Sequence, residues 1–92
     1  MPTVRFTRHL QRFFPDLSVG GEVVSGATVA EAVAALDARH PGLAGYLVDD
    51  AGRLRRHVNI FKDGHTLRDR HGLTDPVGPA TELVVVQALS GG

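Results

Sequence analysis

The chain ends Leu89-Ser90-Gly91-Gly92, and the carboxylate of Gly92 is the group in this sequence best suited to covalent chemistry. An ionised carboxylate is a poor electrophile, so its oxygen can be displaced only after it has been turned into a good leaving group. Eleven glycines among 92 residues make a pair at two given positions a chance event of about one in seventy. The weight therefore rests on position: the pair closes the chain directly after a predicted strand, where it would project an unbranched, flexible terminus from the fold.

Other side chains offer less. There is no cysteine, so this chain supplies no thiol nucleophile, thiolate metal ligand or disulfide. Five histidines, His9, His40, His57, His65 and His71, include no pair at the i, i+4 helical spacing typical of a metal site, and no metal is expected. Arg53, Arg55, Arg56 and His57 form a basic cluster on the edge of a predicted strand, expected to be a solvated face rather than a dock for an acidic partner. No Ser-His-Asp spacing, phosphate-binding glycine loop or carboxylate-pair motif is present, and no catalytic residue is assigned. Ten basic residues balance ten acidic ones, which leaves no one-signed field to draw the chain to nucleic acid or an anionic membrane. Met1 to Phe6 lack the apolar core of a signal peptide and no later stretch has the length of a membrane span, so a cytoplasmic location is expected.

The elements that would position the terminus follow from patterning. At 92 residues, 42% hydrophobic and 22% charged, the chain is ordinary globular material for one domain. Val4 and Phe6 alternate with polar neighbours as a half-buried strand, and Glu22-Val23-Val24 can return beside it. Thr28 and Glu31 have capping-box spacing, and Val29, Ala32, Val33 and Leu36 form one apolar stripe. Pro41-Gly42 stops the helix near His40. Leu54 to Lys62 alternates as a strand, Asp63-Gly64 can turn it into His65 to Arg68, and Thr81 to Leu89 is the longest strand. The order is near ββαβββ. A mixed sheet of four to five strands on one main helix, with the first strand parallel to the last in mid-sheet, is an α+β, β-grasp (ubiquitin-like) fold. Residues 1–89 are expected to form this domain and 90–92 a flexible Gly-Gly tail.

In the last strand Leu83 and Val85 point to one face, and Val84 and Val86 to the other. Both faces are thus apolar, although one helix covers only one of them. Val58 and Ile60 are expected to face the helix and Phe61 to lie outside with Val84 and Val86, in an apolar patch continuous with the root of the tail. Phe61, Val84, Val86 and Leu89 are the candidate partner-binding residues.

Thr28 to Leu36, Pro41-Gly42-Leu43, Val58 to Gly64, and Glu82 to Val86 leading to Gly91-Gly92 together resemble the ThiS/MoaD family of ubiquitin-like sulfur carriers over nearly the whole chain. Gly52 to Asn59 looks like the actinobacterial-type carrier that serves cysteine synthesis. The turn Gly78-Pro79-Ala80-Thr81 and Gln87 depart from the family pattern. The resemblance implies that a ubiquitin-activating-like adenylyltransferase uses ATP to form an acyl-adenylate at Gly92. A sulfur donor then converts this to a thiocarboxylate, whose sulfur passes to an accepting synthase for cysteine, molybdenum cofactor or thiamin. Gly91 and Gly92 suit both steps, because no Cβ crowds the acyl carbon or blocks a narrow channel. The chain would be a protein cosubstrate and not an enzyme, with no cofactor bound and ATP held by the partner. Alternatives are a ubiquitin-like modifier joined to lysine through Gly92, the small subunit of a molybdopterin synthase, and a plain interaction domain.

Overall fold

A computed structural model describes residues 1–18 and 20–87. Five strands form one sheet: β1 (Thr3–Phe6), β2 (Glu22–Val23), β3 (Val58–Lys62), β4 (His65–Thr66) and β5 (Glu82–Gln87), in the order β2-β1-β5-β3-β4. β1 runs parallel to β5 in mid-sheet, and the other pairs are antiparallel. The helices are α1 (Arg8–Gln11), α2 (Val29–Arg39) and α3 (Leu43–Leu47). This is the β-grasp arrangement expected from the element order.

α2 begins and ends where local chemistry dictates. Thr28 is its N-cap: the Thr28 hydroxyl oxygen accepts from the Glu31 N–H at 3.2 Å, and the Glu31 carboxylate accepts from the Ala27 N–H at 2.9 Å. The next orphan donors are met from outside the helix, Val29 N–H by the Asp75 carbonyl and Ala30 N–H by the Leu73 carbonyl. Val29, Ala32, Val33 and Leu36 are buried against Val4, Phe6, Val58, Ile60, Leu83 and Val85 of the sheet. Gly26 approaches the start of the helix at φ +148°, where an added Cβ would stand 2.8 Å from the Ala32 nitrogen. Gly26→Ala is therefore expected to destabilise the domain by about 2 kcal/mol, combining a disfavoured φ with a backbone clash. Urea denaturation at neutral pH checks this; unchanged stability would contradict the close approach.

Three expected strand boundaries are corrected. The strand placed from Leu54 starts at Val58, because Leu54 and Arg55 are tied elsewhere. Leu54 N–H donates to the Arg70 carbonyl, Arg55 N–H to the Leu47 carbonyl, and Arg55 Nε to the Gly45 carbonyl. The strand placed over His65 to Arg68 ends at Thr66: Leu67 turns into the core, and the Arg68 and Asp69 N–H groups donate to the Asp75 carboxylate at 2.9 Å. The last strand begins at Glu82, with Gln87 its last residue; the portion expected to continue to Leu89 lies outside the described residues.

The inner face holds one polar cluster. Glu22 on edge strand β2 is buried, and its carboxylate accepts from Ser18 N–H at 2.9 Å, from His40 Nε2 at 2.9 and 3.1 Å, and from Arg39 Nη1 at 3.3 Å. Arg39 and His40, at the C-terminal end of α2, thus bind that end to the sheet. Burial pushes the Glu22 carboxyl up, but the Ser18 N–H, His40 and Arg39 outweigh it and hold the group below its ordinary value of 4.5. A carboxyl depressed in the folded state stabilises the fold above its unfolded pKa and loses that contribution as the pH falls through its folded value. Glu22→Gln is expected to cost about 2 kcal/mol at pH 7, and the difference from the parent should shrink on acidification below pH 4.5. Denaturation at the two pH values reads this directly; a pH-independent difference would contradict it.

Candidate functional site

Central strand β5 divides its side chains between two environments. Leu83, Val85 and Gln87 are buried beneath the helices, whereas Glu82, Val84 and Val86 are half-buried on the opposite face. The register fixes their neighbours: Phe61 lies opposite Val84, Asn59 opposite Val86, and Thr66 opposite Phe61. Residues directly opposite in a ladder share a face. Phe61, Val84 and Val86 therefore stand together on the face that α2 does not cover, and Val58 and Ile60 point inward, 0% and 2% exposed.

A polar boundary closes this patch on the other side. Arg5 lies beside Val84, and its guanidinium meets the Glu82 carboxylate at 3.3 Å. Both side chains are about half exposed, so the pair adds little stability. Beyond it Val23, opposite Thr3, is an isolated exposed apolar residue. Val86 immediately precedes Gln87, so the patch reaches the end of β5. Leu89, Gly91 and Gly92, the remaining candidate site residues, lie outside the described residues, as does the tail assigned to 90–92.

The basic cluster does not line a strand edge. Arg53 pairs with Asp49 at 3.2 Å, and Arg55 is turned onto α3 through the Gly45 carbonyl; Arg56 and His57 are exposed. Arg70, which sequence reasoning passed over, enters from the loop before β5. Its guanidinium donates to Asn59 Oδ1, to the Val58 carbonyl at 3.0 Å and to the Arg55 carbonyl at 3.2 Å. Arg53, Leu54, Arg56, Arg70 and His71 thereby surround an open cleft of about 230 Å³. Nothing in the local pattern signals this, because Arg70 lies eleven residues from Asn59 in an irregular segment.

Asp69 does not face the cleft as a counter-charge. The Thr74 hydroxyl and the Gly72, His71 and Thr74 N–H groups all donate to its carboxylate, which holds its pKa well below the ordinary carboxylate range. Among the described residues no group of three His, Cys, Asp or Glu side chains could hold a metal ion, and no helix is long and apolar enough to cross a membrane.

Comparison with known proteins agrees with the fold. The chain is 28% identical to Small archaeal modifier protein 3 of Haloferax volcanii over 97% of its own length and 96% of that protein. It is 29% identical to Sulfur carrier protein CysO of Mycobacterium tuberculosis over 74% of its own length and 75% of that protein. Among solved structures it superposes on a chain of the Amycolatopsis orientalis BexX/CysO complex with a TM-score of 0.84 at 26% identity, covering both chains completely. SAMP1 from Haloferax volcanii gives a TM-score of 0.75 at 27% identity, covering 99% of this chain and 98% of that one. These relatives are small carrier and modifier proteins by name. The profile of the ThiS family matches residues 4–92, from the first strand through the terminal glycine pair. The chain belongs to the ThiS family of ubiquitin-like proteins.

Proposed function

We propose that this protein is a sulfur carrier whose reactive group is the Gly92 carboxylate. The observation that carries the reading is the ThiS family match, which runs through Gly91-Gly92 rather than stopping at the globular domain. In the first step a carboxylate oxygen attacks the α-phosphorus of ATP on a ubiquitin-activating-like enzyme, pyrophosphate leaves, and an acyl-adenylate forms at Gly92. A sulfur nucleophile at the oxidation level of sulfide then attacks the acyl carbon. The C–O bond to AMP breaks, a C–S bond forms, and a thiocarboxylate remains. A synthase accepts that sulfur, and cysteine synthesis is the preferred destination because the named relatives include CysO carriers.

The chain itself supplies the acyl group and a docking face, Phe61, Val84 and Val86, next to the end of β5. The nucleotide site and the acid-base groups belong to the partner. ATP–pyrophosphate exchange with an activating enzyme from the same genome tests the first step: exchange dependent on this protein supports the reading, and none contradicts it. The match to Small archaeal modifier protein 3 over 97% of the chain favours a second reading, in which the same adenylate is captured by a lysine amine. Proteins from the source cells bearing Gly92 in an isopeptide bond would establish that outcome.

A further inference from the structure

We propose that the cleft bounded by Arg53, Leu54, Arg56, Arg70 and His71 is a recognition site for a carboxylate-bearing segment of the enzyme that activates Gly92; the choice of occupant rests on the carrier reading. The charge in this cleft is only partly cancelled from within: Arg53 is paired with Asp49, whereas Arg56 and Arg70 have no salt-bridge partner among the described residues. Arg70 is held by three neutral acceptors, Asn59 Oδ1 and the Val58 and Arg55 carbonyls, which fix its plane without neutralising it. Arg56 is exposed and makes no salt bridge among the described residues. Of the nearby acids, Asp69 keeps its negative charge but is turned onto the donors of its own loop, so that Arg56 and Arg70 still leave the cleft with an excess of positive charge. A guanidinium already fixed in orientation loses little freedom on meeting a carboxylate and matches its geometry.

Placement identifies the occupant. Arg70 binds the carbonyl of Val58, whose register partner is Gln87, and the side chain of Asn59, whose partner is Val86. The cleft therefore borders both the apolar outer face and the end of β5. Gly92 follows Gln87 by five residues, so an active centre that reaches its carboxylate lies within about 18 Å of that strand end. An interface of ordinary size, about 800 Å² on each partner, seated there would cover the cleft as well. An acidic segment on the enzyme would steer the encounter and fix its register, while the apolar face supplies contact area.

The test compares the parent protein with Arg56→Glu, Arg56→Ala and, as a control, Arg12→Glu, an exposed α1-flanking position outside the cleft. Pyrophosphate release by the cognate activating enzyme is measured at several salt concentrations, with melting curves to verify folding. The expected result for Arg56→Glu is a KM raised about tenfold with kcat unchanged and a flattened salt dependence, because a rim charge acts mainly on encounter. Arg56→Ala should fall between, and Arg12→Glu should match the parent. A parent that reacts and an Arg56→Glu variant with the same KM and salt dependence would overturn the docking site alone. A parent that never releases pyrophosphate would overturn the carrier reading and this occupant with it.

Discussion

Deleting Gly92, or adding a single residue after it, is expected to reduce ATP-dependent activation at least a thousandfold while the domain melts within a few degrees of the parent. Either change moves the terminal carboxylate by about 3.5 Å along the chain, and a displacement of even 1 Å from the reacting position can cost about 100-fold. The fold has no comparable stake in that residue. The buried cluster built by the described residues runs from Val4 to Val85, and a terminal residue contributes little to stability. Gly91→Val and Gly92→Val should behave almost like the deletion, because a β-branched side chain stiffens the backbone and crowds the acyl carbon; alanine should be milder. Pyrophosphate release and a melting curve on the same samples check both halves. Full activity in the deleted form would remove Gly92 from the mechanism.

A second large effect is expected on the uncovered face of the sheet. Val84→Asp should lower kcat/KM with the activating enzyme by about 100-fold, since it places an unpaired carboxylate at the centre of an apolar contact. Phe61→Ala, which only truncates the opposite neighbour, should lower it by about tenfold. Val84 is half-buried, so its substitution should leave a folded domain; the adjacent Val85, 1% exposed on the inner face, serves as the contrast because Val85→Asp should unfold the protein. Near-parent kinetics for Val84→Asp in a folded protein would show that partners approach elsewhere.

The parts of the fold that were legible in the sequence depend on neighbours along the chain or on simple alternation. Thr28, Glu31 and Pro41-Gly42 bounded α2 to within a residue, because caps and stops act over one turn. Alternation in β5 placed Val84 and Val86 opposite Leu83 and Val85. The failures have a shared cause in long-range hydrogen bonds. Residues 54–57 alternate like a strand, yet the Arg70 carbonyl claims the Leu54 donor and the Leu47 and Gly45 carbonyls claim those of Arg55. α1 is a single short turn, whose following residues Phe13 and Phe14 pack on Tyr46 of α3, a contact with no local signature. The same holds for the Glu22–His40 contact, across 18 residues, and for the guanidinium of Arg70 at the start of β3. For the candidate site, alternation made the outer face legible, and the terminal glycines lie outside the described residues; the cleft near the end of β5 was not legible, because it exists only once a loop has folded back.

Intact-protein mass spectrometry after incubation with the cognate activating enzyme, ATP and a sulfide source tests the central claim most directly. The carrier account predicts that one terminal oxygen is replaced by sulfur, that fragmentation places the change at Gly92, and that omitting ATP or deleting Gly92 prevents it. An unchanged mass in the presence of an enzyme shown to be active, or a sulfur atom located anywhere but the C-terminal carboxyl group, would contradict it.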